Sequence, residues 1–200
     1  MSNYIFIKRD IDISKILQQV LDNPDDWNTV STYANIGGKT APSGFLPLVM
    51  GMLKPPFDDI RNSEYQQPTT LYPKYTEVRS WLRSYGIKQT ARCAFFKLPP
   101  GGEVPRHIDD GTYYLTRDRY HLSLQGEYLY EVDGEEHIIK PGTFFWFDNK
   151  KMHSSKNISD VDRISFVFDV IHSKHNPQHA VRVRSEEHTS ELQSRETISY

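Results

Sequence analysis

The chain is 200 residues long, with 37% hydrophobic, 12% aromatic and 25% charged residues, which suffices for one domain with a substantial core and excludes two comfortable ones. A formal net charge of −2 gives no electrostatic reason to expect nucleic acid or a membrane surface as partner, so a small-molecule or peptide substrate is expected. The lone cysteine, Cys93, excludes an intramolecular disulfide and a thiolate metal cage; within the strand-like run Ala91–Phe96 it reads as a buried hydrophobe rather than a nucleophile.

At the N-terminus, Lys8 and Arg9 follow only a short apolar run, which does not read as a signal peptide. No window approaches the ~18 uninterrupted apolar residues of a membrane span, and a soluble, cytoplasmic protein is expected. The first helix is predicted over Asp10–Asp22, with Ile13, Ile16, Leu17 and Val20 on one face; Asn23-Pro24 ends it, because proline disfavours helix in the residue before it. From Thr29 to Tyr75 the chain is rich in Gly, Pro, Ser and Asn and reads as a long irregular cover, with one short helix near Pro56–Arg61. A second helix fits Tyr75–Tyr85, where Val78, Trp81, Leu82 and Tyr85 keep helical spacing and Gly86 is the stop. Residues 1–86 are therefore expected to form a helical and irregular cover of the same domain as the residues that follow.

After Gly86 the pattern changes to short β-like runs: Ala91–Leu98, Tyr120–Leu124, Tyr128–Val132, His137–Ile139, Thr143–Phe147 and Ile164–Val170. Pro99-Pro100-Gly101-Gly102, Gly126, Asp133-Gly134 and Pro141-Gly142 punctuate them, and Asp133-Gly134 is a two-residue hairpin signal. Many short strands with such turns predict a mainly β sandwich or barrel over residues 87–172.

The chemistry concentrates in the same region. His107 and Asp109 alternate, so their side chains can leave one face, and His153 follows the strand Thr143–Phe147 and the turn Asp148–Lys151. Two imidazoles and one carboxylate form a candidate facial triad that suits Fe(II) and leaves positions open for a bidentate co-substrate and O2. Farther on, Arg163 and Ser165 lie two apart on an alternating strand and make a fork-plus-hydroxyl cradle for a carboxylate, as the far carboxylate of 2-oxoglutarate would need. By themselves Asp148-Asn149 reads as a turn and His121 as a core histidine, and core packing is expected for most of Phe144–Phe147.

The end of the chain differs. Arg184–Ser194 has no helical or strand period and resembles the conceptual translation of a short-read sequencing adapter. Residues 184–200 are therefore expected to add nothing to the fold, with 173–183 as a C-terminal extension. The tail holds two basic and four acidic residues, so it is the source of the slight acidity.

In order along the chain, Leu98-Pro99-Pro100-Gly101-Gly102, His107-Ile108-Asp109, Arg119-Tyr120-His121-Leu122, Pro141-Gly142-Thr143, Phe147-Asp148-Asn149 and His153 through Asn157 to Arg163-Ile164-Ser165 resemble the aspartyl/asparaginyl β-hydroxylase family, which includes bacterial proline hydroxylases. The resemblance implies a double-stranded β-helix, or jelly roll, with the N-terminal helices packed on one sheet. It also implies an Fe(II)- and 2-oxoglutarate-dependent dioxygenase that hydroxylates an amino-acid side chain and releases succinate and CO2. His107, Asp109 and His153 would hold the metal, Arg163 and Ser165 the far carboxylate of 2-oxoglutarate, and Arg119 and His121 the co-substrate near its metal-bound end. Some relatives lack the metal carboxylate; here Asp109 is present. Two alternatives stay open at this point. One is a cupin-type metalloenzyme without 2-oxoglutarate, although cupins usually offer His-x-His where this chain has His107-Ile108-Asp109. The other is a non-catalytic jelly-roll binding module. Free proline or another amino acid, a peptidyl Asp or Asn, and a small metabolite are all open as substrate.

Overall fold

The computed structural model describes residues 3–27 and 44–171; the expectations for residues 28–43, for the 173–183 extension and for the 184–200 tail lie outside the described residues. The elements in chain order are β1 (Tyr4–Lys8), α1 (Ser14–Leu21), a 3-10 turn (Pro24–Asp26), β2 (Gly44–Gly51), β3 (Gln66–Pro68), α2 (Thr76–Ser84), β4 (Cys93–Leu98), β5 (Glu103–His107), α3 (Thr112–Leu115), β6 (Arg117–Gln125), β7 (Tyr128–Val132), β8 (Glu135–Ile139), β9 (Phe144–Phe147), β10 (His153–Asn157) and β11 (Arg163–Ile171). They form a seven-stranded sheet, β1-β9-β6-β11-β4-β2-β3, and a four-stranded sheet, β5-β10-β7-β8. The chain is mainly β, with the jelly-roll, cupin-like architecture that was expected.

The strand period of two explains how the layers meet. In β9 all four aromatic residues are buried, and successive side chains go to opposite faces of the sheet. Phe145 and Phe147 face the small sheet and pack with Tyr4, Tyr128, Tyr130, Val132 and Ile139. Phe144 and Trp146 face the other way, into a core completed by the helices through Ile16 and Val20 of α1 and Val78 and Leu82 of α2. Trp81 of α2 meets Phe144 edge-on, with ring centroids 5.0 Å apart, the geometry aromatic pairs prefer. Strand β11 is covered on both sides: Ile164, Phe166, Phe168 and Val170 face the helix-backed core, while the alternate residues Arg163, Ser165, Val167 and Asp169 lie on the opposite, also buried face.

The helices and most strands fall where the pattern places them. Asp133 (φ 52°) and Gly134 (φ 83°) both take positive φ between the paired residues Val132 and Glu135, as a two-residue primed turn requires. Three features depart from the expectations. The irregular cover contains β2 and β3, and β2 sits inside the large sheet beside β4. Its Phe45–Val49 run is buried on both faces, so the alternation signal is absent, and Pro47 is accommodated where the register shifts between Pro47 and Val49. Residues 56–61 form turns and bends, not a helix. Finally, the short apolar run at the N-terminus is β1, the edge strand paired with β9.

No helix among the described residues is long and apolar enough to cross a membrane.

Candidate metal and anion site

His107 is the last residue of β5 and His153 the first of β10, and they are register partners across the β5–β10 ladder. Asp109 lies two residues past the strand end, where its backbone N–H donates to the Asn149 carbonyl at 3.0 Å. One ligand atom from each of His107, Asp109 and His153 falls within 4.8 Å of the others. Both imidazoles are oriented from behind: Nδ1 of His107 lies 2.7 Å from the Pro105 carbonyl oxygen, and Nδ1 of His153 lies 2.9 Å from that of Lys151. A carbonyl oxygen only accepts, so Nδ1 carries the proton in each ring and Nε2 keeps its lone pair for a metal. Burial, opposed by Asp109 and aided by His107, lowers the His153 pKa and favours the neutral ligand form. Burial alone would raise the Asp109 pKa, but Arg119, His153, the Asn149 hydrogen bond and His107 outweigh it and hold the carboxyl below its ordinary value. Two imidazoles that present Nε2, together with an ionised carboxylate, are a donor set that suits Fe(II).

Behind this triad stands Arg119 of β6. Its Nη1 donates to Asp109 Oδ2 at 2.7 Å, while Nε and Nη2 donate to the two oxygens of Asp169 at 2.8 and 3.0 Å. Asp169 is the direct cross-strand partner of Arg119 in the β6–β11 ladder, which is what allows the bidentate fork. The Tyr113 hydroxyl donates to Asp169 Oδ2 at 3.1 Å. Asn149 Nδ2 adds a second bond to Asp109 Oδ2 at 2.9 Å.

Arg163, at the start of β11, is 4% exposed. Its Nη1 donates to Ser155 Oγ at 2.8 Å and its Nη2 to Ser165 Oγ at 3.2 Å, and the guanidinium stacks 4.0 Å from the Tyr128 ring centroid. Among the described residues no carboxylate lies within ion-pairing distance of it, and its Nε has no hydrogen-bond partner. A buried, uncompensated guanidinium is costly. His121 of β6 is buried between Tyr130, Phe145 and Phe147. Burial, reinforced by Arg163, Arg119 and His153, pushes its pKa well down, so the ring is neutral; its Nδ1 has no partner among the described residues.

These groups enclose a cavity of about 140 Å³ whose lining includes His107, Arg119, His121, His153 and Arg163. A larger cavity of about 680 Å³ adjoins it and shares Phe96, Arg119 and Val167 with it. The outer wall of the larger space is the segment 58–63, fastened by Arg92 Nη2 to the Ile60 and Ser63 carbonyls at 2.6 and 2.9 Å and by the Arg61–Asp110 ion pair at 2.9 Å.

All seven residues singled out from the sequence therefore converge, with Ser165 reaching the cavity through Arg163. Sequence reasoning missed Asp169, Asn149, Ser155 and Tyr128. Asn149 reads as a turn residue, and it does sit in a turn, but its side chain reaches Asp109. Asp169 carried one usable signal, an acidic residue inside an apolar strand, where burial demands a partner. The motif residue Asn157 acts on the backbone. Its Nδ2 donates to the carbonyls of Leu98, Pro99 and Val161 at 3.1, 3.0 and 2.8 Å, tying the Pro-Gly loop to the entry of β11.

No curated protein matches the sequence. Among solved structures, a predicted oxalate decarboxylase from Thermotoga maritima is 22% identical, over 46% of this chain and 73% of that one, with a TM-score of 0.36. The Cnp3 cupin domain of Schizosaccharomyces pombe is 18% identical over 40% of this chain and 55% of that one, with a TM-score of 0.36. A cupin protein from Bacteroides fragilis is 18% identical over 43% and 70%, with a TM-score of 0.37. The family model for aspartyl/asparaginyl beta-hydroxylases matches residues 12–173, so it spans all three α-helices, every strand except β1 and every residue of the site. The chain belongs to the aspartyl/asparaginyl beta-hydroxylase family and is a hydroxylase-type enzyme.

Proposed function

We propose that the chain is a cytoplasmic Fe(II)- and 2-oxoglutarate-dependent dioxygenase that hydroxylates an amino-acid side chain, free or within a peptide. His107, Asp109 and His153 would hold the metal through Nε2, a carboxylate oxygen and Nε2. Bound there, iron(II) would supply the activation of O2 that couples hydroxylation of the substrate to conversion of 2-oxoglutarate into succinate and CO2.

The observation that carries this reading is Arg163. Its charge is buried in the same cavity as the two histidines and is met, among the described residues, only by hydroxyls and an aromatic face. Such a group calls for an anion, and a fork flanked by Ser155 and Ser165 matches a carboxylate. His121, kept neutral, offers its unpartnered Nδ1 to the metal-bound end of the co-substrate. Three donor contacts of Arg119 are engaged by Asp109 and Asp169, so only its remaining N–H groups, of five in all, are left for the co-substrate. The amino-acid or peptide substrate would occupy the larger cavity, which lies in the common size range of ligand sites, about 300–1,000 Å³, and reaches the metal chamber past Phe96, Arg119 and Val167.

The test is an anaerobic titration of 2-oxoglutarate into the Fe(II)-loaded protein, following the metal-to-ligand charge-transfer band, with succinate measured after O2 is admitted. A saturable band and succinate release are expected. Metal binding with neither band nor succinate would instead favour a cupin-type metalloenzyme that does not use 2-oxoglutarate. No metal binding would leave a binding module.

A further inference from the structure

We infer that Asp169 is a positioning residue for the metal site: it neutralises Arg119 so that Arg119, with Asn149, can hold Asp109 as a one-oxygen ligand. The inference rests on the metal triad proposed above and adds residues to which nothing yet gives a role. Asp109 Oδ2 already accepts two hydrogen bonds, from Arg119 Nη1 at 2.7 Å and Asn149 Nδ2 at 2.9 Å. The other oxygen, Oδ1, is the one that faces His107 Nε2, at 3.8 Å. The carboxylate is therefore presented with one oxygen engaged by the protein and one open to an ion.

Charge explains why Asp169 is needed. Arg119 and Arg163 both line the metal cavity, so a divalent ion entering it meets two guanidinium groups within a low-dielectric space. Arg163 awaits an anionic ligand. Arg119 already has its counter-charge, because Asp169 grips Nε and Nη2 and is itself 1% exposed and steadied by the Tyr113 hydroxyl. With Asp169 in place, Arg119 acts on Asp109 as a hydrogen-bond donor while its positive charge is balanced on the far side. Without Asp169, the full charge of Arg119 falls on Asp109, competing with the metal for the same carboxylate and repelling it.

The experiment measures Mn(II) affinity by calorimetry on the wild type, Asp169→Asn, Arg119→Gln, Arg119→Lys and the double variant Arg119→Gln/Asp169→Asn, with circular dichroism to establish folding. Groups that orient and tune a metal ligand typically affect metal affinity 10–100-fold. Asp169→Asn is expected to weaken Mn(II) by about that factor. Removing the arginine charge as well should bring affinity back to within about threefold of the wild type, a rescue that a purely architectural role of Asp169 would not produce. Arg119→Lys, which keeps the charge but can grip only one carboxylate at a time, should weaken Mn(II) like Asp169→Asn, and it serves if Asp169→Asn does not fold. Wild-type affinity in Asp169→Asn, or losses that simply add in the double variant, would overturn the inference and leave the triad standing. Absence of Mn(II) binding by the wild type would overturn both.

Discussion

His107 and His153 face each other across the β5–β10 ladder, with ring centroids 4.2 Å apart. A backbone register, not a loop conformation, sets their spacing, and a carbonyl behind each Nδ1 fixes the ring that faces the cavity. Replacing either histidine by alanine leaves one imidazole and one carboxylate, too few donors to hold a labile divalent ion in facial geometry. His107→Ala and His153→Ala should each abolish Fe(II) binding and succinate production while remaining folded. Near-normal turnover in either variant would show that the metal is held elsewhere.

In the proposed function, use of 2-oxoglutarate depends on Arg163. Lysine at this position keeps the charge and loses the fork, so Arg163→Lys should raise the KM for 2-oxoglutarate with some activity left. Alanine would leave the far carboxylate buried without a partner, costing roughly 3–5 kcal/mol of co-substrate binding. Fe(II) should still bind in both, because Arg163 is not among the proposed metal ligands. Equal 2-oxoglutarate affinity in the wild type and Arg163→Ala, read from the charge-transfer band, would remove Arg163 from the site.

The candidate site was more legible in the sequence than some of the interior strands. His107, Asp109, His153 and Arg163 stand out because their chemistry is scarce and their order specific. Residues such as Asp169 and Asn149 are common types whose partners, Arg119 and Asp109, lie at distances in the chain that only strand pairing closes. Strands that alternate, or that end in Gly-containing turns, were legible. Strand β2 was not, because both of its faces are covered and it contains Pro47. Strand β10 was not either: His153–Asn157 has no apolar residue, and it is a strand because β5 and β7 pair with it on both edges. Tertiary pairing there overrides local preference.

Gly111 links the Asp109 loop to the wall of the larger cavity. Its φ and ψ of 106° and 157° belong to a region open essentially to glycine, where another residue costs on the order of 1–3 kcal/mol. A Cβ there would also lie 2.4 Å from the Arg61 carbonyl oxygen, which accepts a hydrogen bond from the Tyr113 N–H. Gly111→Ala should therefore lower the Tm and push the 58–63 segment outward, raising the substrate KM more than it lowers kcat. Limited proteolysis should find new cleavage in that segment. A variant with wild-type Tm and cleavage pattern would mean that the segment is not held there.

Cys93 supplies a prediction about pH. It is buried, with its Sγ 3.4 Å from the Thr90 hydroxyl, and burial pushes its thiol from 9.0 up to about 12. At pH 8 the native thiol should resist iodoacetamide, since the thiolate is the reactive form, whereas the denatured chain should be alkylated readily. The same shift sets a sign for stability. Below pH 9 the thiol is protonated in both states and contributes no pH dependence. Between pH 9 and about 12 the unfolded chain releases the proton while the native state retains it, so stability falls with rising pH, each unit costing on the order of 1 kcal/mol. The half-buried Tyr85 and the buried Tyr120, also shifted upward by desolvation, act in the same direction above pH 10. Between pH 9 and 10 the thiol should dominate, so the Tm of Cys93→Ala should fall less steeply there than that of the wild type. Parallel slopes for the two proteins, or rapid alkylation of native Cys93 at pH 8, would show that the thiol is not held protonated by burial.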